Sequence, residues 1–254
     1  QAQETGGIAS QPIRNQQALL TQVDTLIAKQ GRTPELDKRR EQIAKVLNAS
    51  QSDLKENGLR AGLERGVITD MAPLNVSTPE AMAGSFAKRI QQADHVSAWA
   101  GKAVSPLDAN EAEQVRGIME ALPPKQRSAA VATIAQAVGP RYAGAIAEQL
   151  NSKDKALSLA FASAGDKTTA GRFTSELILK GAQAIKDGTA MKDDKKVTGW
   201  KATIAQQIDG AFPDDRAATA VKESAYFLAA GIAAENGGSV GTDEIARAVR
   251  LAVG

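Results

Sequence analysis

The sequence predicts an all-α protein, an N-terminal helical hairpin or arm followed by a compact multi-helix bundle. Aromatic residues are only 4% of the 254 while alanine is abundant, a balance that favours close-packed helices over sheets of β-branched and aromatic side chains. Apolar residues recur at threes and fours along most of the chain, and no convincing run alternates with the period of a strand. Prolines, glycines and capping residues cut these runs into helix-sized pieces joined by short turns.

Residues 1–10 are rich in Gln, Gly, Ser and Thr and read as a disordered lead-in. Helical periodicity begins after Pro12, with Leu19, Leu20, Val23, Leu26 and Ile27 on one stripe. Gly31 stops that helix, and Thr33-Pro34 restarts the chain with a cap and a proline at the first helical position. Leu36, Ile43 and Leu47 supply a facing stripe, so residues 11–72 are expected to hold an antiparallel hairpin. The stripe formed by Leu20, Val23, Ile27, Leu36, Ile43 and Leu47 is one expected interaction surface.

A third helix is expected from Ser52 to Val67. Gly58, Gly62 and Gly66 stand four apart and would line one helical face open to close backbone approach, a second expected interaction surface. Insertion of this helix in a membrane is disfavoured by Lys55, Glu56, Arg60, Glu64 and Arg65. The stretch Thr69 to Pro79 carries two prolines and polar turn formers, which places a boundary near Pro73 and a globular domain over 73–254.

Within that domain, Ser77 or Thr78 with Pro79 opens a helix carrying Met82, Phe86 and Ile90, continuing toward Trp99 and stopped by Gly101. Asn110 is the expected cap of a helix with Val115, Ile118, Met119 and Leu122, ended by Pro123-Pro124. Helices are then expected over Gln126 to Val138, Tyr142 to Leu150 and, opened by Ser152, Lys153 to Ser163. In the next helix, Thr169 to Asp187, Thr174, Ile178, Gly181, Ala182 and Ile185 share a face with Leu177 at its edge. Glu176, Lys180, Gln183 and Asp187 lie opposite, with a Glu-to-Lys pair four apart. Lys192 to Lys196 reads as a solvated charged loop, and Trp200 leads a helix with Ile204 and Ile208. Asp214 to Asn236 puts Val221, Ala225, Leu228 and Ile232 on one stripe, closed by Gly237-Gly238. Thr242 and Glu244 start a last helix through Ile245, Val249 and Leu251. The pentapeptide Ala-Thr-Ile-Ala-Gln occurs at 132–136 and 202–206, but its flanks do not align.

Composition removes several chemistries. With 31 basic and 29 acidic residues the net charge is +2, so no global field points to nucleic acid or an acidic membrane. Zero cysteines remove disulfides and thiolate metal sites, and the single histidine removes two-His metal motifs. No cofactor, metal or small-molecule ligand is expected. No apolar run approaches the ~20 residues of a membrane span. The chain opens on Gln1 and ends in a helical pattern at Val253-Gly254, so a processed product or a piece of a longer protein is expected.

Four motifs have chemical look-alikes. His95, four residues before Trp99, reads as a structural or surface histidine. Ser163 to Thr169 has Asp166 where a phosphate loop needs glycine, and no strand precedes it. Glu223-Ser224 matches the catalytic dipeptide of lytic transglycosylases without their following Gly-Leu-Met-Gln segment. Ile134 to Leu150 has helix-turn-helix spacing, but Arg141 is its only base-reading candidate, so helical packing is the better reading.

Leu157 to Arg172, Ser175 to Gly181, Thr198 to Gln207 and Ala225 to Gly231 together resemble the C-terminal helical region of large virion-associated proteins of tailed bacteriophages, described as internal virion or ejection proteins. Some of these also carry a peptidoglycan-cleaving transglycosylase domain. The resemblance covers about residues 110–254. It implies a non-enzymatic virion protein that assists genome delivery across the host envelope, with copies of itself, other virion proteins or the host envelope as partners. A helical accessory module of a peptidoglycan-degrading enzyme and a DNA-binding helical protein are the alternatives. No catalytic residue is carried over.

Overall fold

The computed structural model describes residues 7–75, 77–188, 204, 206–212, 219–237 and 240–253. Among them every regular element is a helix, so the protein is all-α. The expected charged loop Lys192 to Lys196, Trp200 and Gly238 lie outside the described residues. The chain divides into two compact units, Gln1–Asn75 with Gly84–Glu111 and Val76–Ala83 with Ala112–Gly254. Residues 84–111, which the expected division at Pro73 grouped with the later domain, therefore belong with the N-terminal segment.

The first unit begins with a helical turn at residues 7–9, inside the stretch expected to be disordered. Arg65 holds this turn by donating to the Ala9 carbonyl. Helix α1 spans Ile13–Gln30 and stops at Gly31, whose φ is 85°. Helix α2 spans Pro34–Glu64, with Pro34 in its first turn and the Thr33 hydroxyl accepting from the Leu36 N–H at 3.3 Å, the start that Thr33-Pro34 predicts. The two pack together as a hairpin, and an Asp24–Arg40 ion pair at 2.6 Å joins their outer edges.

No separate helix begins at Ser52. Instead α2 continues past Leu47 and is broken at Gly58, where φ is 59° and ψ is −135°. Without a Cβ, glycine enters this region at little cost. Beyond the break, Leu59, Ala61 and Ile68 are buried with Leu47 and Leu54 and with Ala93, Val96 and Ala100 of helix α3, Pro79–Ala100. Gln92 of α3 secures the intervening loop, donating to the Asp70 carbonyl and accepting from the Ala72 N–H at 3.0 Å. These packed residues are why 84–111 return to the first unit.

Helix α3 starts under the Thr78 hydroxyl, which accepts from the Ala81 N–H at 3.1 Å, and Gly101 ends it at φ 67°. Helix α4 spans Ala109–Ala121. Its cap is Asp108 rather than Asn110: the Asp108 carboxylate accepts from the Glu111 N–H at 2.8 Å and the Glu111 carboxylate accepts in return from the Asp108 N–H at 3.0 Å, a reciprocal capping box.

The second unit is built around helix α7, Lys155–Gly165. Its residues 156–161 are all buried, as are Ala164 and Gly165, so over most of its length it is covered on every side. Helices α5 (Pro124–Val138), α6 (Pro140–Leu150) and α8 (Thr169–Asp187) pack against it. Burying side chains such as Leu157 and Phe161 contributes roughly 1.5–3 kcal/mol each. The one buried hydroxyl on the way, Ser158, donates to the Ala147 carbonyl at 2.7 Å.

Caps explain the remaining ends. Pro123-Pro124 closes α4 and also opens α5, with Pro124 in the first turn. The Arg127 guanidinium reaches back to the Met119, Glu120 and Leu122 carbonyls at 2.7, 3.0 and 3.3 Å. Asp154, not Ser152, caps α7 by accepting from the Leu157 N–H at 2.9 Å. The Thr168 hydroxyl caps α8 and left-handed Gly188 ends it. Helix α9 is described over Thr219–Glu235 and packs on α8, with α10, Thr242–Val253, packed on α9.

Candidate functional site

In the second unit α8 and α9 cross at close range. Gly181 of α8 and Gly231 of α9 lie back to back. A methyl group on Gly181 would fall on the Phe227 carbonyl oxygen and 2.8 Å from the Gly231 nitrogen, and one on Gly231 would fall on the Leu177 carbonyl oxygen. Leu177, Ile178, Leu179 and Ala184 are buried on α8, and Ala225, Leu228, Ala229, Ala230, Ile232 and Ala233 on α9. The inward side of α8 is wider than the expected single face, because α5, α7 and α9 all pack on it. Ser175 and Leu179 are buried, whereas Thr174, Ala182 and Ile185 are only half-buried. Lys180 reaches Glu235 at 3.1 Å across the crossing instead of pairing with Glu176.

Beside the start of α9 opens a cleft of about 550 Å³, lined by Lys155, Ile208, Asp209, Lys222, Glu223 and Tyr226 among others. Its floor is apolar: Ile208 is buried, and the Tyr226 and Phe227 rings meet edge to face at 5.5 Å. Burial pushes the Tyr226 phenol above its ordinary value. Glu223 is half-buried, and Lys155 lies 2.9 Å from its Oε2 in a contact poorly aligned as a hydrogen bond. Asp209 pairs with Lys222 at 3.2 Å. Each carboxylate thus faces an ammonium, not the reciprocal pair of carboxyl groups that flanks a scissile glycosidic bond. Such a cleft can hold an apolar or aromatic group under a rim of balanced charge.

Val23, Ile43 and Leu47 are buried, and Leu20, Ile27 and Leu36 half-buried. The buried members of this stripe are thus already covered within the chain. Gly58, Gly62 and Gly66 do not form one helical face. Gly58 breaks α2, Gly66 lies beyond its end at φ 67°, and only Gly62 is a helical close-contact position, its would-be Cβ 2.9 Å from a Val96 methyl. Spacing of four in sequence implies a shared face only where the helix is continuous, and here it is not.

His95 is exposed and stands edge-on to Trp99 at 6.2 Å, while the Arg14 guanidinium covers the Trp99 ring at 5.0 Å. On α6, Ala143, Ile146, Ala147 and Leu150 are buried, and Arg141 stacks over Tyr142 at 4.9 Å. In the Ser163 to Thr169 turn the Asp166 carboxylate accepts from the Thr168 N–H at 3.3 Å. Among the described residues no cluster of three His, Asp or Glu side chains is placed to hold a metal ion, and no helix is long and apolar enough to cross a membrane.

The most buried charge among the described residues lies outside the motifs considered above. Arg89 is 3% exposed and ion-paired to Glu111, and its Nε has no hydrogen-bond partner. The available signal was the Asp-x-x-Glu box at 108–111, which marks Glu111 as fixed and acceptor-rich. No protein-family model, curated protein or solved structure matches the chain.

Proposed function

We propose that the chain is a non-enzymatic structural protein of a tailed-bacteriophage virion, an internal or ejection protein that assists genome delivery across the host envelope. The observation that carries this reading is the meeting of Ser175–Gly181 with Ala225–Gly231 at a glycine-to-glycine crossing. These are two of the stretches behind the phage resemblance, and they are spent on holding a scaffold together. Beside the crossing, Glu223 faces Lys155 and Asp209 faces Lys222, so each cleft carboxylate is balanced by an ammonium. Its partners in this reading are further copies of itself or other virion proteins. Antibody detection across a density gradient of phage lysate tests it. The chain should sediment with infectious particles, and its confinement to the soluble top fractions would contradict the proposal.

The aromatic-floored cleft beside Glu223 favours a second reading, a helical accessory module of a peptidoglycan-degrading virion enzyme. Under that reading the purified chain lowers the turbidity of a peptidoglycan suspension and Glu223→Gln removes the effect. Under the first reading neither protein changes it.

A further inference from the structure

The break in α2 turns on one residue. On the helical segments either side of Gly58, Leu54, Leu59 and Ala61 are buried, and only Gly58 has non-helical angles within Pro34–Glu64. Changing that single φ/ψ pair to helical values would make Pro34–Glu64 one continuous rod.

Besides the buried core around Leu54, Leu59 and Val96, a few polar contacts hold the bent form within the first unit. Arg65, past the break, pairs with Asp53 before it at 3.5 Å and donates to the Ala9 carbonyl. Gln17 of α1 donates to the Trp99 carbonyl at 2.9 Å, and Arg14 covers the Trp99 ring. The bend itself nests under loop carbonyls: a Cβ on Gly58 would lie 3.2 Å from the Ser105 oxygen and 3.7 Å from the Leu107 oxygen. That loop is fixed in turn by the Asp108–Glu111 box and the buried Arg89.

We propose that Gly58 is a hinge, latched in its bent state by Arg65 and Gln17, whose release lets α2 straighten into one continuous helix and uncovers the apolar strip Leu59, Ala61, Ala93 and Val96. The bent state is favoured by burial of that strip. The straight state is favoured by continuous helical hydrogen bonding and by any side chain at position 58. The bend at Gly58 is one arrangement of this backbone and the continuous rod is the other.

The chain has no cysteine, so two introduced thiols report one distance. Spin labels on Lys45→Cys and Glu64→Cys, both exposed positions in the described structure, read the bend by pulsed electron resonance. A continuous helix places these two Cα atoms about 29 Å apart, and the bent form holds them closer. The labelled protein should give the short distance alone. Gly58→Ala should move the distribution to about 29 Å, and Arg65→Gln combined with Gln17→Ala, which keeps the glycine, should add a second population there. Appearance of the long distance in either variant supports the hinge. Its absence from both, including the case where Gly58→Ala unfolds and the latch variant keeps the single short distance, overturns it.

Discussion

Gly181 and Gly231 pack backbone to backbone where α8 crosses α9, each so placed that a methyl group would strike a carbonyl of the opposite helix. The approach has no flexible side chain to move aside, so an added methyl must displace a helix. Gly181→Ala and Gly231→Ala should each lose about 3 kcal/mol, the upper end of the ordinary overpacking range. The double variant should cost less than the sum, because one helix shift accommodates both methyls. Urea unfolding of the three proteins checks this.

Gly117 and Gly144 predict the opposite sign. Both are exposed within helices, with nothing within 4 Å of an added Cβ. Gly117→Ala and Gly144→Ala should each stabilise by about 0.5–1 kcal/mol through helix propensity and a less disordered unfolded chain. Thermal unfolding measures the gain.

Arg89 and Glu111 form a buried ion pair, and removing one partner strands the other. Arg89→Met should lose about 3–5 kcal/mol, whereas Arg89→Met with Glu111→Met should recover most of that loss. A double variant no more stable than Arg89→Met in denaturant unfolding would show that the pair is needed for more than mutual compensation.

Glu244 supplies the pH-dependent case. Hydrogen bonds from its own N–H and that of Gly241, and from Asn236, hold its carboxyl below the usual carboxylate range. A depressed folded value means stability that is present above the unfolded value of about 4.3 and lost as pH falls through the lower folded value. The stability difference between wild type and Glu244→Gln should therefore be constant at neutral pH and shrink below about pH 4, as read by urea titrations at stepped pH.

Short-range chemistry was legible in the sequence, and long-range choices were not. Thr33-Pro34 and Gly101 act as read because a cap or a positive-φ glycine stop depends on three or four neighbouring residues. Between Asp108 and Asn110 as cap, local sequence offers two acceptors. The choice fell to Asp108, whose partner Glu111 is held by Arg89 from another helix. Gly58, Gly62 and Gly66 have the spacing of a helical face, and only the loop carbonyls over Gly58 and the core beyond it reveal a bend. Lys180 could pair with Glu176 by spacing alone, but Glu235 arrives from α9. The cleft was invisible for the same reason: Lys155, Asp209 and Glu223 are brought together only by packing.

Quantitative mass spectrometry of gradient-purified phage particles tests the central proposal most directly. Peptides from Ser175–Lys180 and Glu223–Glu235 should be present at a fixed ratio to the capsid protein in every preparation and survive protease treatment of intact particles. Their absence from particles that carry the full capsid complement would contradict a virion role.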